Sequence, residues 1–404
     1  MPANTIISPT WIGRETLRIA ANKTKFVASI KKMLSDDFKV GGTKVGATVG
    51  LRLPWRPQTT KGQAFQAQAI SDNIVYVTIT DQAHVDYGWS SFSETMEIHD
   101  ARERYVNPTA IQLGTTLESD GLSRVYLDVF SVEGTPGTVP SANSTYLNAG
   151  ARLTNFGTPD GPRRAIINAI MRAVIANANL ALFNPQPDIS ELWQKAMFSG
   201  PSLSFDEWYE DVHLGTHTVG TYGGTPLVNN ASQTGSSLVT DGWTATTTIL
   251  RRGDVFTVTG VFAVNPQNYR STTQLQQFVV TSNCTADGSG NLTIPIYPPI
   301  ITSGGYQTVD SSPANNAPIT VLGASATANS PQGLGYHPEA FCMASADLVM
   351  PRQGESSRVR MAGVGLSLRH WQASDIMTDQ HMVRNDVIYG FKTIRPEFAV
   401  RFAS

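Results

Sequence analysis

The sequence predicts an α+β protein that carries an inserted all-β module. Residues 216–331 hold only seven charges in 116 positions, with no Lys or Glu, whereas the preceding residues show apolar side chains at helical spacing. Thr, Ser, Asn, Gly and Pro dominate the charge-poor segment, and apolar runs such as 255–264 and 292–296 have the composition of strands. After Gly333 the earlier composition returns, so we expect a small barrel or sandwich at 218–330 inserted into an α+β host.

Length and charge narrow the classes of function. The chain has 404 residues, with 30 Lys and Arg against 32 Asp and Glu. At roughly 150 residues per domain this length predicts two or three domains. The balanced charge argues against a dedicated nucleic-acid binder. Charged residues make up 15% of the chain, below the typical value of about 25%, which predicts either extensive burial in an assembly or a Thr- and Ser-rich β surface.

Neither a disulfide framework nor a membrane partner is expected. Cys284 and Cys342 are too few to staple a chain of this length, and they indicate reduced thiols in a protein made in the cytosol. The first ten residues, MPANTIISPT, lack the basic and apolar regions of a secretory signal. The most apolar helical stretch, 165–183, contains Asn168 and Arg172, so it predicts a core helix and not a membrane span.

Residues 1–44 are strongly basic. Eight Lys and Arg face three acidic residues, a local net charge of +5. Phe26, Ile30, Met33 and Leu34 fit one helical face, which indicates a basic amphipathic arm. The pattern leaves two alternatives open: an arm that needs a partner surface, or a surface helix packed on its own domain.

The next segment, 45–92, predicts a long two-stranded excursion. Val49, Leu51 and Leu53 alternate with polar or small residues, and residues 74–80 form a second run of strand character. The intervening polar stretch predicts a tip at 59–73.

Helices follow. Asn107-Pro108 is a helix start, because Asn caps free amide groups and Pro fits the first helical position. Apolar residues then recur at helical spacing up to Gly134, and a second helix is predicted to open at Pro162. Two capping boxes predict short helices, Asp188-x-x-Glu191 and Ser204-x-x-Glu207. Near the end of the chain, 359–368 and 386–401 are predicted strands.

Few motifs suggest chemistry. His213 and His217 have the spacing of metal ligands on a helix, but Gly215 lies between them and favours a helix end. Arg252-Gly253-Asp254 matches the integrin-binding tripeptide, although its position between two β runs predicts a turn first. Phosphate-binding, nucleophile-elbow, zinc-protease and dinucleotide motifs do not occur. The absence of these motifs weakens the enzyme hypothesis, and we expect no enzyme activity, no bound cofactor and no bound metal.

The order of the segments resembles the major capsid proteins of tailed phages, and within them the P22-type coat proteins. The words that carry the resemblance are RRGDVFTVTGV at 251–261, NLTIPIYPP at 291–299, YHPEAFCMASADLVMP at 336–351, RMAGVGLSLRHWQASDI at 360–376 and RNDVIYGFKTIRPEFAVRF at 384–402. The C-terminal words are the sharpest, and residues 1–100 match weakly.

The resemblance implies the HK97-type phage capsid fold with an inserted β-barrel-like domain and no catalytic residues. The implied division is an N-terminal arm at 1–44, an E-loop at 45–92, a P-domain with its spine helix at 93–139, an A-domain at 140–217 and 331–385, the inserted domain at 218–330, and a C-terminal P-domain strand at 386–404.

It also implies partners and contact residues. The expected partners are copies of the chain in hexamers and pentamers, a scaffolding protein, a portal protein, packaged double-stranded DNA bound without sequence specificity, and optionally a decoration protein. Assembly in the host cytoplasm is expected. Candidate contacts with the scaffold or shell interior are Arg18, Lys23, Lys25, Lys31 and Lys32. Candidate contacts of the E-loop with a neighbouring subunit are Arg56 and Lys61.

Two alternatives from other classes remain open on the residues alone. A β-rich phage fibre or adhesin would account for the charge-poor module and for Arg252-Gly253-Asp254, but it leaves the basic arm unexplained. A hydrolase with an appended carbohydrate-binding module would require paired carboxylates in a cleft.

Overall fold

The computed structural model describes residues 9–34, 48–63, 65, 67, 68, 73–90, 105–180, 201–361 and 365–404. These residues divide into two compact units. The first draws on Met1–Leu51, Ile74–Leu122 and Phe341–Lys392, and the second on Arg52–Asn73, Ser123–Ala340 and Thr393–Ser404.

The described chain is a mixture of helices and strands. The helices are α1 (Pro9–Lys23), α2 (Phe26–Ser29), α3 (Asn107–Val125), α4 (Asn143–Asn155) and α5 (Ala169–Leu180). The strands of the first half are β1 (Lys31–Leu34), β2 (Thr48–Leu53), β3 (Asn73–Thr78), β4 (Asp81–Ser90), β5 (Val132–Gly134), β6 (Arg164–Ile167), β7 (Glu207–Glu210) and β8 (Thr216–His217). The next are β9 (Gly224–Val228), β10 (Gly235–Trp243), β11 (Ile249–Leu250), β12 (Val255–Val264), β13 (Ser271–Val280), β14 (Cys284–Thr285), β15 (Leu292–Ile300) and β16 (Ile319–Val321). The last are β17 (Ser330–Tyr336), β18 (Phe341–Ser345), β19 (Glu355–Met361), β20 (Leu366–Asp375), β21 (Gln380–Thr393) and β22 (Ala399–Ala403).

The first unit is organised around one mixed sheet. Its strand order is β1-β18-β21-β20-β19, and β4 also pairs with β21. β1 runs parallel to β18, whereas β4, β19 and β20 pair in antiparallel fashion. α1 packs against β19 and β20 with Leu17 and Ala20 buried. β2 and β3 form a separate two-stranded sheet, as predicted for the two-stranded excursion at 45–92.

The second unit contains two larger sheets. One has the order β5-β22-β17-β6-β7, and its core includes Tyr146, Phe205 and Phe402. The other is antiparallel, with the order β16-β12-β13-β15-β10-β9, and a two-stranded sheet of β11 and β14 accompanies it. Every strand of the antiparallel sheet comes from the charge-poor segment, and its hydrophobic core is built from residues between Val228 and Val321.

The helix start at Asn107-Pro108 is confirmed, but its predicted continuation to Gly134 is wrong. α3 ends at Val125, a short 3₁₀ turn follows, and the chain becomes extended before β5. Val129 and Phe130 are buried in this non-helical stretch. Apolar spacing reports burial, and here the burial passes from a helix to a strand without a break in the pattern.

The helix predicted from Pro162 begins later. Residues 164–167 form β6, which lies between β17 and β7. α5 then starts at Ala169, where the side chain of Asn168 accepts a hydrogen bond from the backbone N–H of Met171 at 2.7 Å. That bond is the N-cap interaction, so Asn168 marks the true helix start.

The structure also differs from the sequence-based predictions at the Ser204 capping box and in the C-terminal strand. The capping box at Ser204 does not open a helix, because Leu203 and Ser204 have φ values of 49° and 71°, which a right-handed helix cannot accommodate. Glu207 instead begins β7. The box at 188–191 lies outside the described residues. The predicted strand 386–401 is two strands, β21 and β22, separated by a 3₁₀ turn at Pro396–Phe398.

The basic arm is helical only in part. α2 ends at Ser29, Ile30 is extended with φ −94° and ψ 168°, and β1 pairs with β18, so the predicted helical face from Phe26 to Leu34 is wrong beyond Ser29. Phe26, Val27 and Ile30 are nevertheless buried in the first unit. The apolar side of this segment is therefore packed on its own chain.

A buried carboxylate fixes the start of α2. Glu118 of α3 is 2% exposed, and its side-chain oxygens accept hydrogen bonds from the backbone N–H groups of Lys25 at 2.8 Å, of Phe26, and of Val27 at 3.1 Å. A helix leaves its first N–H groups without internal partners, so one carboxylate here satisfies three of them.

We expect Glu118→Gln to destabilise the first unit by about 1–3 kcal/mol, because a neutral amide offers one acceptor oxygen where the carboxylate offers two. Hydrogen exchange at the amides of Lys25, Phe26 and Val27 should accelerate. Glu15→Gln is the control: Glu15 is half-buried but pairs with the exposed Arg18, and ion pairs with an exposed partner contribute about 0–1 kcal/mol. Equal effects of the two substitutions would contradict this role of Glu118.

Candidate assembly surfaces

The first candidate surface is the basic row, which we define as Arg18, Lys23, Lys25, Lys31 and Lys32. It lies on α1, at the residue before α2 and on β1. All five side chains are exposed except that of Lys32, which is half-buried. Residues 9–34 contain six basic residues and one acidic residue.

Hydrogen bonds limit the freedom of Arg18 and Lys32 in the basic row. The Arg18 guanidinium donates to Glu15 through Nε at 2.9 Å and through Nη2 at 2.6 Å, so part of its charge is compensated. Lys32 Nζ donates to the backbone oxygen of Ala28 at 2.9 Å. With its apolar side buried and its basic side exposed, this segment presents cationic groups that suit an anionic partner.

The second candidate surface involves the start of the predicted E-loop tip. Arg56 Nη2 donates to Glu397 Oε1 at 2.6 Å, and its guanidinium carbon lies 6.0 Å from the ring centre of Tyr306. The hydroxyl of Tyr269 donates to the backbone oxygen of Pro57 at 3.3 Å. Arg56 therefore contacts its own chain, within the second unit, through polar interactions.

The rest of the described tip is exposed, apart from the half-buried Gln68. Lys61 lies in a stretch without regular structure, together with its described neighbours. The Gln68 side chain makes two hydrogen bonds to the backbone of Gln58: its Oε1 accepts from the N–H, and its Nε2 donates to the carbonyl oxygen. This pair closes the loop between them, and the structure does not bring Arg56 and Lys61 to a common contact.

The Arg252-Gly253-Asp254 tripeptide is a buried turn. The Asp254 side chain is 1% exposed and accepts hydrogen bonds from His217 Nε2 at 2.8 Å, from the N–H of Arg251 at 2.7 Å and from the N–H of Gly220. An integrin-type contact requires an accessible carboxylate, and this carboxylate is fully engaged. The turn predicted from the sequence is present, and one of the two observations that favoured an adhesin is removed.

Arg401 completes the network around this turn. It is 2% exposed, its Nη2 donates to the backbone oxygen of Gly253 at 3.0 Å, and its guanidinium carbon is 5.9 Å from the ring centre of Tyr126. Burial lowers the pKa of Arg401 to about 10, so the side chain still carries its charge at neutral pH. The turn next to β12 is thereby tied to β22, an internal strand of the other sheet in the same unit.

The structure does not support the metal site considered for His213 and His217. His213 Nδ1 lies 2.8 Å from Asp211 Oδ1, whereas His217 bonds to Asp254, so each imidazole has its own carboxylate. Neither residue is on a helix. In the part of the chain that the structure describes, no group of three or more metal-ligating side chains comes together.

The sequence did not point to Glu118, Glu397 or Arg401. Glu118 and Glu397 are single acidic residues whose partners are distant in the chain, and no motif marks them. Arg401 carried a signal that could have been used: it is a lone charge within the apolar run Ala399–Ala403. A charge in a fully buried strand requires polar partners from another element.

Comparison with known proteins identifies the family. The model of the P22 coat protein, gene protein 5, matches residues 93–403. This match covers most of the chain, and the chain belongs to that family. The sequences of curated proteins give no significant match.

Solved structures similar to this chain are capsid structures of phages and a virus-like particle. A structure of Mycobacterium phage Che8 aligns with a TM-score of 0.47 at 13% identity, covering 94% of this chain and 90% of the other. The capsid of cyanophage P-SCSP1u aligns with 0.47 at 10% identity, covering 94% and 88%. A virus-like particle from Pyrococcus furiosus aligns with 0.40 at 7% identity, covering 97% of each chain.

Family membership establishes the role. The chain is a major capsid protein of a tailed phage, a structural component of the virion that assembles with copies of itself into an icosahedral shell. Among the described residues, no helix is both long and apolar enough to cross a bilayer.

We expect Asp254→Ala to destabilise the second unit by about 3 kcal/mol, because His217 and two backbone N–H groups would lose a buried charged acceptor. The denaturation midpoint of the purified subunit measures the effect. Arg252→Ala is the neighbouring control, since its pair with Asp128 is partly exposed and should be worth less than about 1 kcal/mol. A midpoint for Asp254→Ala equal to that of Arg252→Ala would refute the anchoring role.

Proposed function

We propose that the chain is an HK97-type shell subunit with an inserted β-barrel domain, and that it forms the hexamers and pentamers of a capsid around double-stranded DNA. The match to the coat protein family over residues 93–403 carries this proposal. α3 would be the spine helix of the P-domain, and β2 and β3 the stem of the E-loop. Near-neutral subunits can enclose DNA, because small cations neutralise most of its phosphate charge.

The charge-poor segment would be the inserted domain. Its support is a sheet and a core that use only residues of this segment. By family resemblance, this domain would steady the subunit during folding and touch neighbouring subunits. The Asp254 network would hold it to the host strands.

The basic row would face the shell interior and recruit an acidic scaffolding protein, whose space the DNA later occupies. Its support is the exposed charge of residues 9–34 in a chain whose total charge is −2. A portal protein and, optionally, a decoration protein would complete the shell, which would assemble in the host cytoplasm.

Changing Arg18, Lys23, Lys25, Lys31 and Lys32 to Gln should strongly reduce scaffold uptake while leaving the subunit folded. Wild-type uptake should itself fall with salt, because the Debye length shortens from about 10 Å at 0.1 M to about 3 Å at 1 M. Co-sedimentation of scaffold with shells across a salt series measures both effects.

A control variant removes three exposed positive charges elsewhere in the chain. Changing Arg251, Arg270 and Arg352 to Gln lowers the net charge but leaves the basic row intact. The control should retain uptake. Normal, salt-independent uptake by the five-residue variant would show that the row is only the solvated side of a helix packed on its own domain.

The E-loop would dock on a neighbouring subunit through Arg56 and Lys61, with polar contacts and backbone pairing. The contact of Arg56 with Glu397 supports this, because the same arginine–carboxylate pair can form between two identical chains. Reversing both charges, Arg56→Glu with Lys61→Glu, should lower shell yield and the temperature at which shells dissociate. Unchanged yield and stability would exclude an electrostatic contact at the tip.

Mixing two single variants separates a contact within one chain from a contact between chains. Arg56→Glu and Glu397→Arg subunits should each assemble poorly, whereas their equimolar mixture can form reversed pairs only between different chains. Recovery of shells in the mixture is therefore expected. Recovery only in the double variant Arg56→Glu/Glu397→Arg would place the contact within a single subunit.

A further inference from the structure

Residues 56–58, at the start of the predicted E-loop tip, pack closely against the charge-poor segment, and both belong to the second unit. A Cβ added to Gly305 would lie 2.6 Å from the backbone oxygen of Arg56, so the two backbones approach this closely only because Gly305 has no side chain. The hydroxyl of Tyr269 lies 3.3 Å from the backbone oxygen of Pro57 and 3.5 Å from that of Gly305. Two loops of the charge-poor segment therefore meet the same short piece of backbone.

The side chain of Arg56 is held at the same place. Its guanidinium pairs with Glu397 at 2.6 Å, and the ring centre of Tyr306 lies 6.0 Å from the guanidinium carbon. Glu397 itself lies in the 3₁₀ turn Pro396–Phe398, whose proline and phenylalanine are buried. Arg56 therefore has partners from two parts of the chain that are remote in sequence, in addition to the contacts of its backbone.

The hairpin loop that carries Tyr269 is stiff and locally strained. Tyr269 has a φ of 56°, which bulky residues rarely adopt. Asn265 fixes the loop, because its backbone oxygen accepts from the N–H of Tyr269 at 2.9 Å and its side-chain oxygen accepts from the N–H of Gln267 at 2.8 Å. Backbone strain of this kind persists only where the surrounding contacts impose it, and it is common at functional positions. The strained loop places the Tyr269 hydroxyl against the backbone of Pro57.

The turn that carries Gly305 is closed by hydrogen bonds of its own. The N–H of Gln307 donates to the backbone oxygen of Gly304 at 3.1 Å. At the base of the turn, the N–H of Thr308 donates to the backbone oxygen of Ile301 at 2.9 Å, and Thr308 Oγ1 accepts from the N–H of Ile301 at 3.0 Å. Gly305 therefore lies in a turn with little freedom to move.

The tip is closed directly after this base. The side chain of Gln68 bonds to the backbone N–H and carbonyl oxygen of Gln58, the residue that follows Pro57. A shift of Arg56 and Pro57 is therefore passed on to the loop 58–68.

We infer that Tyr269, Gly305 and Tyr306 are positioning residues for assembly: they hold Arg56 and Pro57, and thereby fix the orientation of the closed tip before it docks on a neighbouring copy of the chain. Docking an ordered loop costs less conformational entropy than docking a free one. The inference rests on the proposed role of the E-loop, and it gives the charge-poor segment a task within its own subunit.

Trypsin cleavage after the exposed Lys61 measures how firmly the tip is held in the unassembled subunit. Gly305→Ala should raise the cleavage rate at least about fivefold, because the new methyl group displaces the backbone of Arg56 and the loop opens more often. Tyr269→Phe keeps the ring and loses the hydroxyl, and it should raise the rate about twofold. Gly288→Ala is the matched control, since a Cβ at this exposed position meets nothing within 4 Å and should leave the rate unchanged.

The denaturation midpoint of each variant shows whether it is folded. A midpoint near that of the wild type, together with faster cleavage after Lys61, supports a local role in holding the tip. If Gly305→Ala lowers the midpoint, Tyr269→Phe decides, because it adds no atom that must be accommodated. Wild-type cleavage rates in the folded Gly305→Ala and Tyr269→Phe variants would overturn the inference.

The rate of shell assembly, followed by light scattering at equal subunit concentration, tests the second half of the inference. Gly305→Ala and Tyr269→Phe should assemble more slowly than the wild type and than Gly288→Ala. Faster cleavage with wild-type assembly would overturn the inference alone, since a loosened tip would then dock equally well. If Arg56→Glu with Lys61→Glu also assembled normally, the proposed docking of the E-loop would fail as well.

Discussion

The Glu118 carboxylate is the interaction on which the arrangement of the first unit depends. It satisfies three backbone N–H groups at the start of α2 from a position inside α3, so two segments 93 residues apart in sequence are joined at one buried point. A buried carboxylate is costly unless its oxygens are fully hydrogen-bonded, and this condition admits little displacement of α2. The exposed charges of the basic row therefore lie on a segment whose position in the first unit is fixed.

Local signals predicted the parts of the fold that local chemistry decides. A helix starts at Asn107-Pro108 because the fixed φ of proline suits the first turn, whereas the Asn107 side-chain oxygen makes no capping hydrogen bond within the described residues. The composition break at residue 216 located a sheet with its own core, because a Thr- and Ser-rich surface does not require charges. Helical periodicity failed at Val129 and at Ile166, where apolar residues at suitable spacing are buried by strands that come from remote parts of the chain.

For the candidate surfaces, too, only the features that are local in sequence could be predicted. The basic row could be found from charge density alone, because it is contiguous in sequence. Glu397 and Arg401 could not, since their roles arise from partners at residues 56 and 253. Asp254 is the opposite case, because here a sequence motif suggested a role that the structure does not support. The tripeptide associated with adhesion holds a turn through a carboxylate that solvent does not reach. A sequence motif alone does not show which of its side chains are exposed to solvent.

Gly114 has a consequence for engineering heat-stable shells from this protein. Replacing a helical glycine by alanine normally stabilises a helix by about 1 kcal/mol. Helix propensity alone would therefore favour the substitution Gly114→Ala. Here the new methyl group would meet the backbone of Ala20 at 3.0 Å and 3.3 Å. A stiffer α3 would be obtained only by pushing α1 away, so the gain in helix propensity would be set against the close contact between α1 and α3.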